Sequence, residues 1–145
     1  MSDSNKAAVR RLIEDHWNGK NAAHVNELFT PNAVLHTPDG QLTGLEGATF
    51  LLHAYATAFP DFQMTINDMI AEGNQVAVRW TFTGTHHGPL LNIPPTGRRF
   101  NVPGGIGIFR LSAGKVEEGY FAWDKFALLQ QLGVLPAPGA VSAQA

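Results

Sequence analysis

Apolar positions near the start of the chain recur with a helical period. Val9, Leu12, Ile13, His16 and Trp17 fall at i, i+3, i+4, i+7 and i+8, the stripe of an amphipathic helix. Asp3 or Ser4 is placed to cap it, Arg10–Glu14 and Arg11–Asp15 pair on its wet face, and Gly19 is placed to end it. A short second helix is predicted from Asn21, with Val25, Leu28 and Phe29 as its apolar face and Thr30-Pro31-Asn32 as its breaker. Ala33 to Thr37 reads as a short strand closed by the turn Pro38-Asp39-Gly40. The third helix runs from Leu45 to Phe59, with Ala48, Leu51, Leu52, Tyr55 and Phe59 on one face, and Pro60-Asp61 stops it.

Beyond Pro60 the period changes from 3.6 to 2. Phe62, Met64 and Ile66 recur at every second position, and so do Val76, Val78, Trp80 and Phe82 after the turn Glu72-Gly73-Asn74. This predicts a hairpin. A Gly- and Pro-rich loop follows from Gly84 to Gly97. Two further strands, Arg99–Leu111 and Lys115–Trp123, meet at Ser112-Ala113-Gly114, and a short last helix runs from Asp124 to Gly133. Helices first and a meander afterwards is an α+β order, not a βαβ repeat. The simplest packing is a curved antiparallel sheet wrapped over the three N-terminal helices, with a cavity between them. We expect one domain over residues 1–135 and a flexible Pro/Ala/Gly/Ser tail over 136–145.

Composition narrows the partners. Hydrophobic residues make up 44% of the 145 positions and charged ones 15%, enough for a sizeable apolar interior. The formal net charge of −2 leaves no basic footprint for a phosphate backbone, so no nucleic-acid partner is expected. No apolar run approaches the ~20 residues of a membrane span, and Met1–Lys6 lacks the apolar region of a signal peptide. We therefore expect a cytoplasmic protein with no membrane partner. The absence of cysteine excludes disulfides and thiol chemistry.

One succession of short motifs carries a family resemblance. Gly84-Thr85-His86-His87-Gly88 is followed by Pro94-Pro95-Thr96-Gly97-Arg98-Arg99, Ile108-Phe109-Arg110, Gly114-Lys115-Val116 and Trp123-Asp124 running into Leu132-Gly133. Phe59-Pro60-Asp61, Glu72-Gly73 with Val76, and the strand Val34–His36 extend it over nearly the whole chain. The chain thereby resembles the SnoaL-like polyketide cyclases of the NTF2-like superfamily. The resemblance implies an α+β cone with an apolar pocket, a hydrophobic small-molecule ligand, chemistry without a cofactor, and a homodimer through the convex sheet face. Outward Arg79, Thr81 and Thr83 are the residues here that suit such a face. It also implies a His and an Asp for aldol cyclisation, and at those two positions this chain has Gly107 and Phe121. Glycine offers no side chain and phenylalanine moves no proton, which argues against that reaction.

Other residues are candidates for the chemistry. His36, at the end of a short strand, titrates near neutrality and is expected to look into the cone mouth as acid or base. Asp124 offers a carboxylate beside the missing Asp, or else the N-cap of the last helix. Trp17, Tyr55, Trp80, Phe121 and Trp123 are expected to line the ligand pocket, with His86 beside it or organising its loop. Adjacent His86 and His87 face opposite sides and cannot easily chelate one metal, so no metal site is expected. Arg98 or Arg99 could meet an anion at the rim. Two functions stay open: an acid–base enzyme acting on a polyketide-like or aromatic carbonyl compound, or a non-catalytic ligand-binding or dimerising module.

Overall fold

The computed structural model describes residues 2–136, and the segment 137–145, most of the expected tail, lies outside them. Helix α1 (Ser2–Arg11) begins ahead of the residues expected to cap it, so Asp3 and Ser4 lie within its first turn. Its apolar stripe is buried as the periodicity requires, from Val9 through Trp17. Arg10–Glu14 and Arg11–Asp15 are ion pairs on the wet side. After Arg11 the helix widens into a π-helical turn, Leu12–Trp17, in which the Asn18 N–H donates to the Ile13 carbonyl, five residues back. Such turns re-aim the side chains that follow, and here the last of them is Trp17.

A 3₁₀ turn (Ala22–His24), N-capped by the Asn21 side chain, leads into the single-turn helix α2 (Val25–Leu28). The second helix is thus shorter than its pattern suggested. Phe29 is the first residue of strand β1 (Phe29–Thr37), and Thr30-Pro31-Asn32 lies within that strand. The pairing of β1 skips from Phe29 to Val34; proline has no N–H to give a ladder and is tolerated where the ladder lapses. The short strand β2 (Gly40–Thr43) was not anticipated. It pairs with β1 across the two-residue turn Pro38-Asp39, where Gly40 takes φ +119°. Helix α3 (Gly44–Ala58) follows within one residue of expectation and buries Ala48, Leu51, Leu52 and Tyr55.

Strands β3 (Gln63–Glu72), β4 (Gln75–Thr85), β5 (Arg99–Ser112) and β6 (Lys115–Ala122) form the meander, and the six-stranded sheet has the order β2-β1-β6-β5-β4-β3. One pair departs from the antiparallel expectation: β1 runs parallel to β6. The pairs β1–β2, β3–β4 and β5–β6 turn back antiparallel through two-residue turns, whereas β1 and β6 are far apart in sequence and no hairpin constrains their direction. Strand β5 shifts register between its pairing with Phe82 and with Trp80, around Pro103-Gly104, and Gly104 has φ +81°. This bulge bends the strand and flips its parity. Phe100 and Val102 point inward before it, and Gly105, Gly107, Phe109 and Leu111 point inward after it. Helices α1 and α3 pack on the concave side, against β3–β4 and β1–β2 respectively. No helix among the described residues is long and apolar enough to cross a membrane.

Candidate functional site

Between the helices and the concave face lies a cavity of about 50 Å³. It is lined by Trp17, Leu51, Tyr55, Met64, Trp80, Phe82, Phe121 and Trp123, with Thr37 and Asp39 on the same wall. Its rings meet edge-on: Trp17–Phe121 at 6.4 Å, Trp80–Phe121 at 6.2 Å, Tyr55–Trp123 at 5.9 Å. Five of the six side chains expected around a pocket, Trp17, Tyr55, Trp80, Phe121 and Trp123, therefore surround one space. His86 does not. Its Nδ1 accepts from the Thr96 N–H at 3.2 Å, its ring packs 5.6 Å from Phe59, and its N–H and C=O bond Arg98 and Gly97. Burial keeps its imidazole below the usual pKa. It holds the Gly84–Gly97 loop together.

The polar end of the cavity is built from three distant segments. Thr37 orders the β1–β2 turn, its Oγ1 accepting from the Asp39 N–H at 3.0 Å and donating to the Gly40 carbonyl at 2.9 Å. The Asp39 backbone is exposed in this turn, yet its side chain is turned inward and only 13% exposed. Tyr55, one α3 turn before the helix ends, donates its hydroxyl to Asp39 Oδ2 at 2.5 Å. Lys125, the first residue of helix α4 (Lys125–Gln131), donates to Oδ1. Burial, and then the Asp39 charge and hydrogen bond, hold the Tyr55 hydroxyl well above the ordinary phenol range, so Tyr55 stays a donor. Among the residues lining the cavity Asp39 is the one carboxylate. A carboxylate fixed by two donors at the edge of an apolar space can take or return a proton.

His36 lies elsewhere. Leu35 points into the core, so alternation sends His36 to the convex face, where its ring stacks on Tyr120 at 4.3 Å and 10°. Its Nε2–H donates to Glu118 Oε2 at 2.8 Å, and Glu118 also binds Arg110 at 2.5 Å. The His36 hydrogen bond, followed by those of Tyr120 and Arg110, holds the Glu118 carboxyl below its usual range. The expectation that His36 looks into the cone is thus corrected. It lines a shallow outer groove that shares Thr37, Phe121 and Trp123 with the cavity. Asp124 caps α4, its Oδ1 accepting from the Ala127 N–H at 2.8 Å. Arg98 and Arg99 are exposed, and the Arg98 guanidinium packs against Gly133. Asp39 and Lys125 were missed by sequence reasoning: one looks like a turn residue, the other like a solvated helix start.

Gly107 and Phe121, where the resemblance places His and Asp, are register partners on β5 and β6. Both face the cavity side. A Cβ at Gly107 would lie 2.7 Å from the Trp80 ring and 3.0 Å from Phe109, so aromatic rings fill the place of a side chain there.

Helices packed on a curved six-stranded sheet, with an apolar cavity between them and a polar mouth, define a small α+β cone. The chain belongs to the SnoaL-like polyketide cyclase family, whose model matches residues 7–132. Among solved structures it is similar to a proposed SnoaL-like polyketide cyclase from Jannaschia Sp. CCS1, at 26% identity and TM-score 0.84 over 93% of this chain and 95% of that one. It is also similar to AclR, a proposed hydroxylase from Streptomyces galilaeus, at 27% identity and TM-score 0.84 over 99% and 91%. TsrD from Streptomyces laurentii is 32% identical, with TM-score 0.78 over 90% and 98%. No curated protein matches the chain.

Proposed function

We propose that this protein is a cofactor-independent enzyme that moves a proton on a hydrophobic carbonyl compound held in the cone, with Asp39 as the acid–base group. The observation that carries this reading is the Asp39–Tyr55 hydrogen bond of 2.5 Å at the wall of an otherwise apolar cavity. In this reading Asp39 takes a proton from the carbon beside the carbonyl, and the Tyr55 hydroxyl and Lys125 ammonium hold the carboxylate in place. The rings of Trp17, Phe121 and Trp123 exclude water from the apolar body of the ligand. Structures similar to this one include a proposed cyclase and a proposed hydroxylase, so the fold leaves the net reaction open.

Hydrogen–deuterium exchange at the methyl group of acetophenone in D₂O, followed by NMR, tests the assignment. Asp39→Asn is expected to slow enzyme-dependent exchange by about a hundredfold or more, while His36→Ala stays within about twofold, as expected for a surface side chain outside the cone. Exchange lost in His36→Ala and kept in Asp39→Asn would return the role to His36. A second reading, a ligand-binding module without turnover, is favoured by the Trp80 and Phe121 rings that fill the family's His and Asp positions. Acetophenone bound without catalysed exchange in the native protein would select it.

We also propose a homodimer through the convex face. Ile106, Ile108 and Tyr120 stand exposed there on adjacent strands β5 and β6, around the His36–Glu118–Arg110 cluster.

A further inference from the structure

The inward face of β5 is bare at two successive positions. Gly105 lies directly across from Trp80 on β4, and Gly107 across from Val78. A Cβ at Gly105 would fall 2.3 Å from the Trp80 Nε1, with the next two nearest atoms also in that indole; one at Gly107 would fall 2.7 Å from its Cζ3. The indole therefore lies against the bare strand and spans both glycines. Neither glycine adopts a left-handed backbone, so the missing side chains serve the ring and not a turn. Trp80 is buried, lines the cavity and meets Phe121. It occupies the depth that inward side chains of β5 would otherwise border.

Size decides what this means. An apolar cavity of roughly 150 Å³ holds benzene, and ligand pockets commonly reach 300 Å³ or more. Here about 50 Å³ remains in front of Trp80, continuous with an open mouth. The enclosed space is smaller than one ring, so a single ring enters only in part, its polar end left at the open mouth beside Asp39, whereas a fused polycycle needs depth that the indole fills.

We propose that Trp80, seated on Gly105 and Gly107, is the specificity-determining floor of the cone: it admits ligands with one aromatic ring or a comparable apolar end and excludes fused polycyclic ones. This rests on the reading of the cone as the ligand site.

Calorimetric binding of acetophenone and of the three-ring ketone anthrone tests it. The native protein is expected to bind acetophenone and to bind anthrone at least about tenfold more weakly, the scale of discrimination a closed apolar pocket gives. Trp80→Leu is expected to tighten anthrone binding about tenfold or more; Trp80→Phe, which disturbs packing less, is expected to shift it in the same direction. Gly105→Ala drives a Cβ into the indole and pushes the ring toward the ligand, weakening acetophenone binding. In Gly105→Ala/Trp80→Leu that loss is expected to disappear, because the clash has no partner. Comparable native affinities for both ketones, or effects of Gly105→Ala and Trp80→Leu that merely add, would overturn the floor while leaving the cone as a ligand site. Binding of neither ketone by any of these proteins would overturn the ligand reading and the floor with it.

Discussion

At the scale of single residues, the site turns on how buried polar groups are partnered. Asp39, Tyr55 and Lys125 satisfy one another, so removing one leaves a debt: Tyr55→Phe strips a donor from a mostly buried carboxylate and is expected to cost about 1–3 kcal/mol in urea unfolding. It should slow acetophenone exchange as well. His16 shows the opposite case. Neither ring nitrogen makes a hydrogen bond of normal geometry, and the ring packs edge-on against Trp17 and Phe29. Burial lowers its pKa from 6.5 to about 4, only partly offset by the nearby Asn21 backbone. The folded state therefore resists the proton that the unfolded chain accepts. Stability from this group is complete above pH 6.5, falls as the pH drops toward 4, and loses no more below that. Comparing pH 7 with pH 4.5, His16→Leu is expected to remove about 2–3 kcal/mol of acid destabilisation; an unchanged difference would show that His16 takes up its proton freely when folded. The aromatic wall was legible in the sequence because Trp17, Tyr55, Trp80, Phe121 and Trp123 obey helical or strand periods. Asp39 was not, since its partners lie 16 and 86 positions away and a Pro-Asp-Gly turn explains it locally. His36 was misplaced because Val34 and Leu35 are both apolar and leave the parity of β1 undecided; burial of Leu35 fixes it.

Among the elements, those with a clean period were readable and those set by long-range pairing were not. Helix α3, the β3–β4 hairpin and the β5–β6 pair fell within a few residues of their patterns. The strand character of Phe29, the short β2 and the parallel β1–β6 pair depend on neighbours that arrive from far along the chain. The bulge at Pro103-Gly104 was hidden for the same reason, although it decides that Gly105 and Gly107 face the interior. The last helix offers a direct test of a local device. Asp124 caps α4 through the Ala127 N–H, and Leu128 and Leu132 anchor that end in the core. Asp124→Ala is expected to cost about 1 kcal/mol of stability and to leave acetophenone exchange unchanged once folded. A loss of exchange without a loss of stability would assign Asp124 a chemical role after all.

The whole molecule presents two faces of different character. The concave side holds the cavity, and the convex side carries the apolar group Ile106, Ile108 and Tyr120. If the convex face joins two copies, Ile108→Glu buries a charge in the interface and is expected to shift the protein to monomers in light scattering, with exchange activity kept. An unaltered mass would place any self-association elsewhere. The geometry also bears on rebuilding the His and Asp that the resemblance implies: Gly107→His with Phe121→Asp forces a side chain into Trp80 and is expected to fail unless Trp80 is reduced too. In the proposed function, ligands lie inside the cone beside Asp39. Intermolecular NOEs between bound acetophenone and the protein measure this directly. Contacts to the rings of Tyr55, Phe82 and Trp123 are predicted. Contacts confined to His36 and Tyr120 would put the ligand in the outer groove and rule out Asp39 as its acid–base partner.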